Sequence, residues 1–354
     1  MKRPLGLKLQ TTLSANEVPI SETGTLKLDD VLINADGVRF LRKSKEYTRP
    51  RAMSNSEQEE EGLFPNVIKL NDLETIKIIG RGAQGTVRLA RHLPSDKLVA
   101  LKEVRCNLTD KTVRRQILRE LHLLFEMSSP FIVPCFGFFF AEHAINVASE
   151  FMNGGSLARH HFGFGPELRC IARSLVSGLA HLEKCHLLHR DIKPDNLLAT
   201  TEGVVKIADF GLTVKTKDGI VSMASFAGTF AGGYGGDTFV GSVAYMSPER
   251  IVQGKCYFAS DLWSAGLSLL ELGMGEYPYK FPENEGNKMI EVMDTIVSGP
   301  PPINTGSATI DDFLSKCLGP DPAKRPTSTE LLQHPWLREG TPEGDQQALA
   351  QCFE

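Results

Sequence analysis

The 354-residue sequence has little that would indicate a secreted, membrane or nucleic-acid-binding protein. Its seven cysteines are scattered, odd in number and never spaced as C-x-x-C, which argues against a disulfide framework or a cysteine zinc site. The formal charge of −4 offers no basic surface for nucleic acid. The longest apolar run, residues 131–141, contains Pro134 and is too short for a bilayer, and the first ten residues lack a signal-peptide core. We therefore expect a soluble, cytoplasmic protein with no membrane insertion.

What the sequence does contain is a dense polar segment, His189 to Asn196, followed eighteen residues after Asp191 by Asp209-Phe210-Gly211. Phosphoryl transfer needs a base for the incoming hydroxyl, oxygen ligands for Mg²⁺ and a cation near the moving phosphate. Asp191 fits the base and Lys193 the cation. The side chains of Asn196 and Asp209 fit the metal ligands.

A glycine-rich stretch lies between two strand-like segments and reads Gly80-Arg81-Gly82-Ala83-Gln84-Gly85-Thr86-Val87. G-x-G-x-x-G alone also occurs in dinucleotide-binding folds, where a helix follows it. Here a strand follows, which favours a hairpin whose backbone amides cover ATP phosphates. Lys102 lies in the next apolar strand and should have a charged partner. The expected partner is Glu120, which lies beside the apolar stripe of a helix predicted over 112–127.

The pattern H-R-D-x-x-x-x-N followed by D-F-G resembles the protein kinases, and this resemblance covers residues 73–337. It implies an α+β, bilobal protein kinase fold over 71–337, with an antiparallel-sheet N-lobe carrying one regulatory helix and a mainly helical C-lobe. ATP and Mg²⁺ would bind between the lobes. It also implies that Lys102, held by Glu120, grips the α- and β-phosphates.

The resemblance further assigns the adenine pocket. Glu150 to Met152 would form the hinge whose backbone binds adenine, and Ser149 would stand at the gatekeeper position behind it. A bulkier apolar residue is usual there, so we expect an open pocket behind the ATP site. The residues expected to sandwich the adenine ring are Val87, Ala100 and Leu198.

Several motif residues are expected to support the structure and to take no part in the chemistry. His189 and Phe210 would stack against each other, and Asp261 would brace the catalytic loop from below. Glu249 and Arg325 would form a buried ion pair.

The segment between Asp209 and Glu249 resembles the activation segment of the MAP kinase kinases, but carries a longer, glycine-rich insert. An added phosphate could pair with an arginine such as Arg190 and order the segment. Thr238 is predicted to be the main phosphorylation site. The second site is predicted to be Ser222, Ser225 or Thr229. Ser242 is expected to orient Asp191.

The N-terminal residues 1–20 are predicted to be a disordered arm that carries a docking motif. Two basic residues precede alternating leucines, an arrangement that resembles the site by which MAP kinase kinases hold their MAP kinase. The motif consists of Lys2, Arg3, Leu5, Leu7 and Leu9. Residues 21–70 are predicted to be a hairpin-like extension and an acidic linker. Within the extension, residues 25–34 are predicted to be one strand, followed by a turn over residues 34–37. Residues 338–354 are predicted to be a short polar tail.

We therefore interpret the chain as a dual-specificity MAP kinase kinase, most similar in pattern to plant and protist members. It would phosphorylate Thr and Tyr in the activation loop of a downstream MAP kinase and be activated by an upstream MAP kinase kinase kinase. Two alternatives stay open: a Ser/Thr kinase of another tier of the cascade, and a pseudokinase scaffold. The N-terminal motif argues against the first, and the intact motif residues argue against the second.

Overall fold

The computed structural model describes residues 20–21, 24–28, 31–40, 68–82, 85–104, 114, 117, 121, 123, 127–210, 213–216, 220–222, 243–280 and 288–354. These residues form a smaller lobe built on antiparallel strands and a larger lobe that is mainly helical. Both predicted lobes are therefore present. Among the described helices, none is long and apolar enough to cross a membrane.

The smaller lobe is built on a five-stranded antiparallel sheet. Its strands are β4 (Leu73–Gly82), β5 (Gly85–His92), β6 (Lys97–Val104), β7 (Cys135–Ala141) and β8 (Ala144–Glu150). The spatial order is β4-β5-β6-β8-β7, so β7 is an edge strand. Its three consecutive phenylalanines are buried on alternate faces, because successive side chains of a strand point to opposite sides. Phe138 and Phe140 pack in one apolar cluster and Phe139 in another.

A second, three-stranded antiparallel sheet precedes the five-stranded sheet in the chain. It consists of β1 (Leu26–Leu28), β2 (Val31–Asn34) and β3 (Gly37–Phe40). The predicted turn is present, because Asn34 Oδ1 accepts hydrogen bonds from the amides of Asp36 at 2.9 Å and Gly37 at 3.1 Å. The sequence predicted one strand before this turn. The structure instead divides that stretch into β1 and β2, and the hairpin becomes a small sheet.

One helix of the smaller lobe shares an apolar cluster with both sheets. We call it the N-lobe helix and define it by its described residues Arg114, Ile117, Leu121 and Leu123. Ile117 and Leu121 are buried against the three-stranded sheet. Leu123 is buried in the core of the larger lobe. The four described residues within 112–126 are helical as predicted, whereas Met127, at the predicted end, is not. The helix contributes side chains to both apolar clusters.

The larger lobe contains the remaining described α-helices. They are α1 (Pro166–Lys184), α2 (Pro248–Gln253), α3 (Phe258–Met274), α4 (Lys288–Ser298), α5 (Ala308–Cys317), α6 (Ser328–Leu331), α7 (Pro335–Arg338) and α8 (Pro342–Gln351). Helices α1 and α3 form its centre, and α3 is buried along almost its whole length. Around them lies one continuous apolar core.

The larger lobe also contains short strands. They are β9 (Gly155–Ser156), β10 (Leu187–Leu188), β11 (Leu197–Ala199), β12 (Val205–Ile207), β13 (Val214–Lys215), β14 (Ile220–Ser222) and β15 (Lys255–Tyr257). Gly178 allows α1 to approach β12 closely, since a Cβ there would lie 2.6 Å from a methyl carbon of Ile207.

The C-terminal residues 338–354, predicted to be a polar tail, contain helix α8, which packs on α1. Asp345 is buried and accepts a bidentate pair of hydrogen bonds from Arg169, at 2.7 and 2.8 Å. Arg173 lies 3.0 Å from the same carboxylate, and Leu349 is fully buried. The segment predicted to be a tail is therefore largely a helix that forms ion pairs with α1, which its polar composition did not indicate.

Candidate active site

Asp191, Lys193 and Asn196 form one hydrogen-bonded group at the mouth of the cleft. A 3-10 turn, Pro194–Asn196, brings Asn196 back over Asp191. Asn196 Nδ2 donates to Asp191 Oδ2 at 2.9 Å and to the Asp191 carbonyl at 2.7 Å. Lys193 Nζ lies 3.0 Å from Asp191 Oδ2. The carboxylate of Asp191 is thereby held in one orientation beside a cation, as a general base requires.

Asp261, near the start of α3, holds the backbone beneath this group. Its two carboxylate oxygens accept hydrogen bonds from the amides of His189 and Arg190, both at 2.8 Å. Arg190 has a φ of +70°, a left-handed conformation that is costly for a residue with a Cβ. Its carbonyl accepts a 2.6 Å hydrogen bond from Arg250. The predicted brace by Asp261 is present, and the strained residue is held on both sides of its backbone.

His189 connects the catalytic loop to the Asp209 segment. Its Nε2 donates to the Ala208 carbonyl at 3.1 Å, while Nδ1 faces the Asp191 amide at 3.4 Å. Burial lowers the pKa of His189, in keeping with a neutral ring that carries its proton on Nε2. The ring meets Phe210 edge to face, with centroids 5.0 Å apart. The predicted contact between these two side chains is therefore present.

The segments that carry Asp209 and Asn196 lie side by side. The amide of Ala208, the residue before Asp209, donates a hydrogen bond to the Asn196 carbonyl at 2.9 Å. Both hydrogen bonds found for the Asn196 side chain use Nδ2, which leaves Oδ1 as its acceptor atom. Mg²⁺ prefers oxygen ligands and is usually held by one or two carboxylates together with substrate phosphates. Asp209 supplies a carboxylate and Asn196 an amide oxygen, so this pair fits a magnesium ion shared with a nucleotide.

Lys102 reaches the same place from the smaller lobe. It lies on β6 between Val87 of β5 and Val147 of β8 in the strand register. Its Nζ is 3.2 Å from Asp209 Oδ1. Its predicted partner Glu120 lies outside the described residues. The contact with Asp209 is an addition to what the sequence predicted.

The glycine-rich stretch forms the predicted hairpin above the cleft. In the register of β4 and β5, Gly80 faces Val87, Arg81 faces Thr86 and Gly82 faces Gly85. Gly85 has a φ of +138°, and a Cβ there would lie 2.0 Å from the Glu103 carbonyl oxygen. Only glycine fits at this position. Ala83 and Gln84, at the tip, lie outside the described residues.

The back of the cleft contains the residues predicted to hold adenine. Ser149 is paired with Ala100 across β8 and β6, and its hydroxyl donates to the Ala100 carbonyl at 3.5 Å. The Met152 carbonyl accepts from the Gly155 amide at 3.0 Å. Val87, Ala100 and Leu198 are each half-buried, as expected for side chains that line an open cleft.

Glu249 and Arg325 form the predicted ion pair below the site. Arg325 donates from Nη1 to Glu249 Oε1 at 2.8 Å and from Nη2 to Oε2 at 2.9 Å, and Ser260 donates to Oε1 at 2.7 Å. Burial by itself would raise the pKa of Glu249, but the hydrogen bonds and charge of Arg325 outweigh it and lower the pKa below its usual value.

The structure leaves most of the predicted regulatory residues undescribed. Outside the described residues lie Thr238, Ser225, Thr229, Ser242 and the docking-motif residues of the N-terminal arm. Ser222 is described as the last residue of β14, where it is aligned with Lys255 of β15.

Sequence reasoning missed two residues that hold the site together. Arg250 follows the Ser-Pro-Glu motif and is buried, yet no role was predicted for it. Lys206 forms an ion pair at 2.5 Å with Glu150, a residue predicted to lie in the hinge. The alternation of β12 carried a signal for Lys206, because the flanking Val205 and Ile207 are buried and point the other way. No local pattern indicated the partner of Arg250.

Comparison with known proteins agrees with this geometry. The protein kinase domain family matches residues 73–337. Mitogen-activated protein kinase kinase 1c of Physcomitrium patens is 36% identical over 348 residues, which cover 93% of this chain and 94% of that protein. Mitogen-activated protein kinase kinase 2 of Arabidopsis thaliana is 36% identical over 90% of this chain and 84% of its own length. MAP kinase kinase PBS2 of Saccharomyces cerevisiae is 37% identical over 76% of this chain and 40% of its own length.

Proposed function

This chain belongs to the MAP kinase kinase family and is an ATP-dependent protein kinase, and we propose that it phosphorylates both Thr and Tyr in the activation loop of a MAP kinase. The observation that carries the proposal is the hydrogen-bonded group of Asp191, Lys193 and Asn196. The Ala208–Asn196 backbone hydrogen bond joins this group to the segment in which Asp209 meets Lys102. The relatives are named mitogen-activated protein kinase kinases, which supports a MAP kinase as the substrate.

We assign the roles of the residues from their positions. Asp191, held by Asn196, accepts the proton of the substrate hydroxyl as that oxygen attacks the γ-phosphorus. Lys193, beside this carboxylate, neutralises charge on the transferred phosphoryl group. Lys102 holds the α- and β-phosphates. Asn196 and Asp209 would hold Mg²⁺, which neutralises phosphate charge when it is bound.

We propose that adenine lies against the backbone of Glu150 to Met152, between Val87 and Ala100 above and Leu198 below. The ion pair between Glu150 and Lys206 supports this assignment, since it fixes the start of the hinge against β12. The small side chain of Ser149 would leave room behind the adenine.

We propose that an upstream MAP kinase kinase kinase activates the protein by phosphorylating Thr238 and one of Ser222, Ser225 or Thr229. The alignment of Ser222 with Lys255 supports Ser222 as a candidate, because a lysine on the neighbouring strand suits an added phosphate.

We propose that the N-terminal arm binds the downstream MAP kinase through Lys2, Arg3 and the leucines that follow. Two basic residues before alternating leucines suit an acidic patch beside apolar pockets. Deletion of residues 1–9 should raise KM for the MAP kinase and leave the KM for ATP unchanged. An unchanged KM for every MAP kinase tested would remove this proposal.

We propose that the protein acts in the cytoplasm. Its seven cysteines are scattered along the sequence and form no C-x-x-C pair, which suits a reducing compartment.

The test is a radiolabelled ATP assay on the full-length protein. Wild type and Thr238→Asp would each be incubated with a panel of kinase-inactive MAP kinases, with Asp191→Ala as the control, and the labelled residues would be mapped. We expect label on both Thr and Tyr of one MAP kinase, lost with Asp191→Ala. Label on serine or threonine of a generic substrate alone would favour a kinase of another tier. The absence of label from every form would favour a scaffold without activity.

A further inference from the structure

The three-stranded sheet of β1, β2 and β3 lies before the kinase domain, which begins at residue 73, yet it buries a continuous apolar face. We call this face the inner face. Each of its side chains is at most 4% exposed; they are Leu26, Leu28, Val31, Ile33 and Val38. A simple linker would have no reason to bury five apolar side chains, because each loses conformational entropy when it is ordered. The inner face therefore has a structural partner.

That partner is the surface formed by the N-lobe helix and the edge of the five-stranded sheet. The inner face packs on Ile117 and Leu121 of the helix, on Phe138 and Phe140 of β7, and on Ile145 of β8. Because β7 is the edge strand, these aromatic side chains would otherwise face solvent. The sheet thus covers a groove between the helix and the edge strand with a segment of the same chain.

The same cluster extends to the strands around Lys102. Val104 and Val147 pack against it at its border. Val147 is the cross-strand neighbour of Lys102, and Val104 lies two residues beyond Lys102 on the same face of β6. Packing under the inner face therefore continues to the side of the sheet from which Lys102 reaches Asp209.

The N-lobe helix also contributes to the core of the larger lobe. Its Leu123 is buried in the large apolar cluster of that lobe, to which Phe210 also belongs. Leu121 directly follows Glu120, the expected partner of Lys102, in the sequence. The helix thus has buried side chains both under the N-terminal sheet and in the core of the larger lobe.

We propose that the N-terminal sheet is a positioning element for catalysis. Its inner face holds the N-lobe helix against β7 and β8, and this packing maintains the cleft in the arrangement that binds ATP. The inference depends on the ATP-dependent kinase activity alone. It would survive if the proposed phosphorylation of both Thr and Tyr proved wrong.

The test measures ATP binding by calorimetry in the full-length protein, so that no protein substrate is involved. Ile33→Ala removes three carbons from the inner face at a fully buried position. The matched control is Leu349→Ala, which removes the same number of carbons from an equally buried position on α8 of the other lobe. We expect both to lower Tm. Only Ile33→Ala should weaken ATP binding, by about tenfold if one tenth of the molecules retain the competent arrangement.

The conservative variant Ile33→Val should bind ATP within about twofold of wild type, since it removes one carbon. Should Ile33→Ala fail to fold, Val38→Ala makes a smaller cavity in the same face and serves in its place. Hydrogen exchange of peptides spanning 114–123 should be faster in the folded alanine variant than in Leu349→Ala. Unchanged ATP affinity in a folded inner-face variant, equal weakening in Leu349→Ala, or unchanged exchange in this helix would each overturn the proposal.

Discussion

The two sides of the active-site cleft are held by different kinds of interaction. On the side of the larger lobe, Asp191 and the backbone beneath it are fixed by short hydrogen bonds from Asn196 and to Asp261. On the side of the smaller lobe, Lys102 is placed by strand register and by apolar packing next to it. Hydrogen bonds to buried partners are lost completely when one partner is removed, whereas packing adjusts by degrees.

This contrast explains how the two halves can serve one reaction. The base must keep one orientation toward the attacking hydroxyl, which directional bonds ensure. The phosphate-binding side must accept and release a nucleotide, so a lysine on a packed but separate lobe suits that role. We therefore expect substitutions on the side of the larger lobe to change activity abruptly. Substitutions on the side of the smaller lobe should change it by degrees.

The largest effect should come from Asp191→Asn. The amide keeps the size of the side chain but cannot accept the substrate proton, so kcat should fall about 10²- to 10⁴-fold. ATP affinity, measured by calorimetry, should stay close to that of wild type. A kcat within a few-fold of wild type would mean that Asp191 is not the base.

The second largest effect should come from Lys102→Met, on the side of the smaller lobe. The variant keeps most of the apolar stem and loses the charge near Asp209. The value of kcat/KM for ATP should fall about 10²- to 10³-fold, as for other lost charge-stabilising donors. Steady-state kinetics with varied ATP measures this. Should the loss appear only in KM for the protein substrate, the assignment of Lys102 to the nucleotide would be wrong.

Asp261→Ala should destabilise the catalytic loop of the larger lobe, although Asp261 itself contacts no reactant. Two buried amides, those of His189 and Arg190, would lose their acceptor, at a cost of about 1–3 kcal/mol each in the free energy of unfolding. Activity should fall as the catalytic loop loosens. The control is Ser268→Ala on the same helix, where a buried hydroxyl donates to the Ser264 carbonyl one turn earlier, and this variant should change little. Equal losses of stability and activity in the two variants would show that Asp261 has no special role in supporting the catalytic loop.

The smallest effect on turnover should come from Glu249→Gln, whose influence is on stability and its pH dependence. Because the folded-state pKa of Glu249 lies below its ordinary value of 4.5, the folded protein binds fewer protons, and stability rises with pH. The stability from the Arg325 pair is complete above about pH 4.5 and is lost as pH falls through the lower folded-state pKa.

Chemical denaturation at several pH values measures this contribution. At pH 7 the variant should be about 3 kcal/mol less stable than wild type, because one partner of a buried pair is neutralised. The difference between the two proteins should narrow as the pH falls below 4.5. A difference that is constant across this range would show that the charge of Glu249 is not involved.

The catalytic loop was predictable because its residues are close in sequence. Asp191, Lys193 and Asn196 lie within six consecutive positions, and Pro194 starts the turn that brings them together. The strand alternation and the helical stripe of Ile117 and Leu121 were predictable for the same reason, since backbone periodicity sets which residues share a face. The turn at Asn34 was visible in its residues.

Other features depended on contacts between distant segments, for which a single sequence carries no local pattern. The Lys102–Asp209 contact joins residues 107 positions apart, and Arg169–Asp345 joins residues 176 apart. Helix α8 has a polar composition, so its docking on α1 was not expected. The third strand of the N-terminal sheet was missed because the stretch 25–34, which contains β1 and β2, was interpreted as a single strand.

The sequence by itself determined the chemistry of this protein, since the kinds of residue and their spacing are those that phosphoryl transfer needs. It also determined most local structure, since periodicity and turn residues act over a few positions. Only the tertiary structure decided that Asp209 meets Lys102, that Asp261 and Arg250 hold a strained Arg190, and that the N-terminal sheet covers the N-lobe helix. These contacts join segments far apart in the chain, and they form because buried polar groups need partners and apolar faces need cover.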